Sequence, residues 1–478
     1  MSAIQHQRKI QHLFWRAGFG ATPQEIKKAF SKSIYQIAKD IVDENHPSTP
    51  LQEVPLERDF DYKNRKRELK NDSTSANVDR NTQLKALIKE RRETIGNLNN
   101  AWFFRMGHET NGLREKMTFF WHNHFACKSR SALFLQQQNN TLRSKALGKF
   151  GDLLLAVSQD AAMLQFLNNQ QNRKKSPNEN FAREVMELFT LGRGHYSEKD
   201  IKEAARAFTG WGFNRDGEFV FRKFFHDEGV KTIFGKSGNF KGEEVIEMLL
   251  SNPQTAYFVC TKIYRYFVNE RINENHVKAM AKRFFHSQYD IKDLMGFVFT
   301  SEWFYDSANI GTQIKSPIEL LAGMQRSLGV EFEDKGAILY TQKILGQVLF
   351  NPPNVAGWPG GKSWIDSSSL LARMQLPRVL FRNERIDYNV KDSGDANEEV
   401  IKQKNKFVAS VNWEVLCKPF LGVNENELGR VLASYLLQVP INDKTIHKLG
   451  EKIKGNDQTE IIQKWVVSLM SLPEYQLC

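Results

Sequence analysis

Three short stretches hold the side chains best suited to chemistry. "SPNENFAREVMELF" carries Glu184 and Glu187 three residues apart. "FFWHNHFACKS" carries His122 and His124 two apart, and "FFHDEGVKTIFG" sets His226-Asp227 ahead of Lys231. Paired carboxylates facing inward from a helix can ligate a metal or act as general acid and base. A His-Asp pair in a loop can bind a metal or orient a base; a plain turn is the alternative. Glu184, Glu187, His124 and His226 would form one ligand set for a divalent metal if the stretches meet in space. Lys231 or Arg206 would then stabilise an anionic substrate or transition state.

The helix that must carry the two glutamates is expected to open at Ser176-Pro177-Asn178-Glu179, read as a capping box with proline in the first turn. At about 100° per residue, Phe181, Val185 and Leu188 form its apolar face. Asn180, Glu184 and Glu187 fall on one flank of that face, and Glu179 and Arg183 on the solvent side as an i,i+4 pair. A carboxylate at the edge of a buried face is costly unless it is paired or holds a cation. Arg206, Lys262, Arg265 and Arg326 are the counter-ions on offer, so a structural ion pair and a functional site both stay open. On a regular helix His122 and His124 point about 200° apart and cannot share a metal unless the helix ends there. A core histidine bonded to backbone is the alternative for either.

One further motif invites a test. Ala356-x-x-x-x-Gly361-Lys362-Ser363 fits a permissive phosphate-binding loop, but Asn351-Pro-Pro-Asn354 separates it from the apolar run Ile344–Phe350. No strand can feed directly into such a loop. The expectation is a Pro/Gly-rich surface loop pinned by Trp358 and Trp364, followed by a helix from about Ser367. Exposed on that loop, the two tryptophans would recognise a sugar or a protein. The chain holds no His-Glu-x-x-His, no Gly-x-Ser-x-Gly and no Gly-x-Gly-x-x-Gly leading a helix.

The elements around these residues read as helices. Thr22-Pro-Gln-Glu25 and Ser197-Glu-Lys-Asp200 mark further starts, and apolar residues recur at three and four, as in Val245, Met248 and Leu249. The one strand-like run is "GEFVFRKFF" over 217–225. The fold class expected is mainly α, a multi-helix globular fold with a short β-hairpin region near 217–225. A main helical domain spans 1–384, with a polar loop at 44–80. A charged linker or loop covers 385–406, and a small helical C-terminal region, 407–478, packs on the main domain.

With 41% hydrophobic and 26% charged residues among 478, the composition is that of a globular chain. No apolar run approaches the roughly 20 residues that span a bilayer. Cys127, Cys260, Cys417 and Cys478 have no CxxC spacing, which argues against a disulfide framework and a cysteine zinc site. The net charge of +12 is densest over 63–92, where acidic residues interleave, so a solvated helical face is favoured over nucleic-acid binding.

In order along the chain, "HLFWRAGFGATP", "MTFFWHNHFA", "SPNENFAREVMELFTLGRGHYSEKDIKEAARAFTGW", "FFHDEGVKTIFG", "KIYRYFV", "SPIELLAGMQRSLG", "LGQVLFNPPNVAGWPGGKSW" and the closing "LMSLPEYQLC" resemble the bacterial family called domain of unknown function 1800. The resemblance runs from about His12 to Cys478. It marks His124, Asn178, Glu179, Asn180, Arg183, Glu184, Glu187, His226, Asp227 and Lys231 as family-like polar residues. It also implies a partner from a sulfatase-like family, domain of unknown function 1501, and a role with sulfated or acidic polymers. Many relatives look exported, whereas the first residues here show no secretory signal. The expectation is a cytoplasmic protein, or one exported bound to a signal-bearing partner. The function expected is a hydrolase-like, metal-assisted enzyme acting on an anionic or polysaccharide substrate. Glu184, Glu187, His124, His226 and Asp227 would be its catalytic residues, with Asn180, Arg206, Lys231, Trp358 and Trp364 on the substrate. The rival is a non-catalytic binding or assembly partner of the sulfatase-like protein.

Overall fold

Helix starts follow their caps closely. Thr22 Oγ1 accepts from Glu25 N at 3.2 Å while Glu25 Oε2 accepts from Thr22 N at 2.8 Å, and Ser197 with Asp200 repeats the exchange. Ser316-Pro317-Ile318-Glu319 opens the Pro317–Leu328 helix the same way. These reciprocal bonds satisfy amide donors that no helix can satisfy internally. The computed structural model describes residues 3–43, 48–55, 64–65, 67–69, 71, 77–108, 112–382 and 409–478. The 385–406 stretch lies outside these residues, as does much of 44–80.

The Ser176-Pro177 start departs from expectation. Ser176 N donates to Arg173 O at 2.8 Å, Asn178 N to Asn172 Oδ1 at 2.9 Å, and Asn180 N to Asn178 Oδ1 at 3.0 Å. Asparagine side chains offer the backbone local partners here, so the helix begins only at Asn180. After Glu184 it loosens into a π-helix, Val185–Thr190, closed by Leu191 N on Met186 O at 2.8 Å. The 100° wheel therefore stops applying between the two glutamates, one on each side of the change.

Among the described residues the architecture is mainly α with three small antiparallel pairs. Trp211–Phe213 pairs with Phe219–Phe221 inside the expected hairpin region. Lys231–Ile233 pairs with Lys236–Gly238, and Val330–Phe332 with Ala409–Val411, which joins the C-terminal segment to the body. Two apolar cores form. One gathers Leu13, Trp121, Phe150, Phe181 and Phe267; the other gathers Trp102, Leu320, Leu376, Trp465 and Tyr475. The Gly112–His124 helix serves both, with Phe120 in the first and Phe119 in the second. Tyr266 packs against both cores. Where they meet, the packing leaves a cavity.

Candidate anion-binding cavity

The cavity holds about 510 Å³ and is lined by both cores. Phe119, Phe120 and Tyr266 give it aromatic walls, and the 356–364 loop closes one side with Trp358 and Trp364. Both tryptophans are buried, at 5% and 7% exposure, which corrects the expectation of an exposed recognition loop. Asn123 clamps the loop: Trp358 N donates to its Oδ1 at 2.7 Å, and its Nδ2 donates to Trp358 O at 3.4 Å. Gly357 permits this approach, since its φ is +79° and a Cβ would overlap Asn123 Oδ1. The predicted helix after the loop is Ser367–Arg382.

Five cations line the cavity, Arg16, Lys116, Lys262, Arg265 and Lys362, against the side-chain carboxylates of Glu270 and Glu319 and the negative charge at Cys478. On the floor Lys116 Nζ meets Glu319 Oε1 at 2.5 Å, and Tyr266 Oη donates to the same oxygen at 3.0 Å. The other oxygen, Oε2, accepts from Ser316 N at 2.8 Å, so one carboxylate caps a helix and neutralises a lysine. Burial by itself would raise the Glu319 carboxyl, but Lys116 and Ser316 outweigh it and hold it down to about 2. Arg16, 2% exposed, has Cys478 and then Glu319 as negative neighbours, although burial outweighs them and lowers its pKa. Its Nη2 donates to the main-chain oxygens of Asn309 at 3.2 Å and Cys478 at 2.9 Å. At the rim Arg265 and Lys362 form no ion pair among the described residues.

Lys262 and His124 form the wall beside the π-helix. The carbonyls at that helix end have no intrahelical partner, and side chains take them up. His124 Nε2 donates to Phe189 O at 3.1 Å, and Lys262 Nζ donates to Leu188 O at 2.9 Å. Lys262 Nζ also lies 3.3 Å from His124 Nδ1, whose lone pair accepts it. The imidazole is thereby neutral, with burial and then Lys262 holding its pKa well below the usual range. Burial pushes the Lys262 ammonium down to about 8. Two positions on its nitrogen are taken by Leu188 and His124, leaving one for the cavity it lines.

The remaining site residues lie elsewhere. Glu184 and Glu187 stay near each other, and Tyr196 Oη donates to Glu187 Oε2, with Arg193 at 4.0 Å. None of the four expected counter-ions reaches them. Arg206 binds Asp227 and Glu203, Arg326 binds Glu25, Lys262 binds Leu188 O, and Arg265 sits at the cavity rim. Burial, then Glu187, raises the Glu184 carboxyl. Arg183 does pair with Glu179, at 3.4 Å, and also with Glu198. Asn180 Nδ2 donates to Leu167 O at 3.2 Å.

The His-Asp block is a third, self-contained cluster. Asp227 takes Arg206 Nε at 2.8 Å and Nη2 at 3.2 Å, and its Oδ1 caps Gly229 N at 2.8 Å. Lys231 Nζ donates to Asp227 O at 2.5 Å, Gly229 O at 3.0 Å and Asn239 Oδ1 at 3.2 Å. His226 Nδ1 donates to Thr209 O at 2.9 Å. The four-residue metal set is thus not assembled: His124 has both nitrogens engaged, and His226 belongs to another cluster. Among the described residues no three His, Cys, Asp or Glu side chains gather as a metal site. His122 is separate too, with Nε2 accepting from Phe350 N at 3.2 Å and burial holding its pKa at about 3. The two histidines point apart, as helical spacing predicts.

The family model for "Protein of unknown function (DUF1800)" matches residues 12–477, nearly the whole chain. The chain belongs to that family. No curated protein and no solved structure matches it. In this DUF1800 chain, six of the segments that carry the resemblance supply the cavity. Arg16 comes from "HLFWRAGFGATP", His124 from "MTFFWHNHFA", Lys262 from "KIYRYFV" and Glu319 from "SPIELLAGMQRSLG". Trp358 comes from "LGQVLFNPPNVAGWPGGKSW" and Cys478 from "LMSLPEYQLC". Among the described residues no helix is long and apolar enough to cross a membrane.

Sequence reasoning missed the cavity's ionic floor. Arg16, Lys116 and Glu319 are far apart in the chain, Lys116 and Glu319 by 203 positions. One signal was available: Ser316-Pro317-Ile318-Glu319 has the same cap pattern as Thr22-Pro23-Gln24-Glu25, so it marks a glutamate held at a helix start.

Proposed function

We propose that this chain is an acid–base enzyme that hydrolyses an acidic saccharide bound in the cavity between the two cores. The observation that supports this reading is the excess of cations over carboxylates on a concave, tryptophan-walled surface. Arg265 and Lys362 offer charge without an ion-pair partner among the described residues, and aromatic walls suit the apolar face of a sugar ring. Lys262 is the residue to which we assign proton transfer. As free amine it takes a proton from the attacking water and then, as ammonium, gives it to the leaving alkoxide. His124 positions it, and Arg16 stabilises the developing negative charge.

The test compares sulfated and uronic oligosaccharides with their neutral counterparts by calorimetry and turnover. Binding of the acidic forms alone is expected, weakening with salt and with Arg265→Gln or Lys362→Gln. Lys262→Arg keeps the charge and removes the base, so binding persists while turnover falls about 10²- to 10⁴-fold. Turnover by the native chain should rise with pH through about 8, where the Lys262 amine becomes free. Equal affinity for neutral and acidic sugars overturns the reading.

The same preference for anions motivates a partnership with a sulfatase-like protein, which co-purification from the native cell tests. Four buried cysteines without a disulfide support a cytoplasmic location, tested by cell fractionation. A binding-only role is the second reading, since Lys116 is already neutralised by Glu319; acidic sugars that bind without turnover would select it.

A further inference from the structure

A second surface stands apart from the cavity's residues. Phe224 is 78% exposed, the highest value among the exposed large hydrophobic side chains of the described residues. It sits on the short turn Lys223–Phe225, stitched to a neighbouring basic segment by Lys174 N donating to Phe225 O at 2.8 Å. Arg173, Lys174, Lys175 and Lys223 are all exposed around it. The Arg173 guanidinium lies 4.3 Å from the Phe225 ring centre and Lys174 Nζ 5.0 Å from that of Phe224. The acidic neighbours cancel only part of this charge. Asp227 is held by Arg206 and Glu228 pairs with Lys223 at 3.7 Å, while Arg173, Lys174 and Lys175 form no ion pair among the described residues. Lys174, Lys175, Lys223 and Phe224 share one shallow, open groove.

We propose that this patch docks on an anionic lipid surface, with Phe224 entering the headgroup layer and the basic side chains around it on the lipid phosphates. Three cations outside any ion pair among the described residues, with Lys223 beside them, surround one exposed phenyl ring and complement such a surface in charge and in polarity. Lysine and arginine keep their charged ends at headgroup level while their stems run along apolar surface. A single-stranded nucleic acid is the less fitting partner. Base stacking needs an open ring face, and Lys174 already lies over the Phe224 ring.

Vesicle co-sedimentation of the full chain tests this, with phosphatidylglycerol vesicles against phosphatidylcholine vesicles. Binding is expected to phosphatidylglycerol only, weakening as salt rises. Lys174→Gln and Lys175→Gln should each weaken it about fivefold. Phe224→Ser should weaken it about tenfold with the melting temperature unchanged, because the ring is exposed. Absence of binding, equal binding to both vesicles, or native affinity in Phe224→Ser overturns the proposal. So does capture on soluble polyglutamate or single-stranded RNA without capture on vesicles.

Discussion

The cavity floor and the His226–Lys231 loop are equally rich in charge, yet they spend it differently. In the loop Asp227, Lys231 and the neighbouring Arg206 are answered locally. Arg206 forks onto Asp227 and also reaches Glu203, and Lys231 ends on two carbonyls and an amide. On the cavity wall Lys116 is answered by Glu319 and Arg16 by Cys478 and Glu319, while Lys262, Arg265 and Lys362 meet a carbonyl, a neutral imidazole or, among the described residues, no ion pair. Saturated charge builds a turn; cations lacking a carboxylate partner around 510 Å³ of space are free for a ligand. The contrast separates two clusters that look alike as sequence.

The largest effect should come from the saturated pair at the floor. Lys116 and Glu319 have side-chain exposures of 3% and 10%, so removing one partner leaves a buried charge uncompensated. Lys116→Met is expected to cost about 3–5 kcal/mol in denaturant unfolding, and adding Glu319→Leu to recover most of that loss. If both single changes cost little and the double change costs their sum, the two groups are not coupled. The acid arm has a definite sign. Glu319 is held near 2, below the ordinary carboxylate range, so its stabilisation is complete above about pH 4.5 and is lost as pH falls toward 2. Glu319→Leu with Lys116→Met should flatten that part of the stability curve.

A middle-sized effect is expected in the loop. Arg206 and Asp227 are about a quarter and a fifth exposed, with two charge-assisted bonds between them. Arg206→Met should cost about 2 kcal/mol of stability and leave the affinity of acidic saccharides unchanged. A loss of ligand affinity without a loss of stability would move the binding site to the loop and erase the contrast.

How far the sequence could foresee this follows from the range of each interaction. Capping boxes at Thr22 and Ser197 act over three residues and could be read directly, as could the Glu179–Arg183 pair four residues apart. The 219–221 strand was legible from its alternating apolar run. At Ser176 the same signature misled, because Asn172 takes the Asn178 amide that the cap would take, and Asn178 itself accepts from Asn180 N. The π-helix was invisible to a 3.6-residue wheel, and it is what turns Leu188 O and Phe189 O toward Lys262 and His124. His124 was found for its residue type, but its role depends on Lys262, 138 positions away. Trp358 and Trp364 were found on their loop, yet only the Asn123 clamp shows that the loop folds inward as a wall.

The smallest effect tests the boundary between the two regions, on the π-helix itself. Glu184 is half-buried, and its carboxyl is raised by burial and by Glu187. A raised carboxyl means the folded chain holds its proton to higher pH than the unfolded one, so stability falls as pH climbs from the unfolded pKa through the folded one. At neutral pH the charge therefore works against folding. Glu184→Gln should leave stability unchanged or raise it by about 0.5 kcal/mol, and should remove that part of the pH dependence. The same variant decides where the chemistry sits. If turnover of an acidic saccharide persists, proton transfer belongs to Lys262 and the helix serves through its carbonyl end alone. If turnover vanishes with the fold intact, the reacting groups lie on the Glu184–Glu187 flank, and the cations of the cavity only hold the substrate.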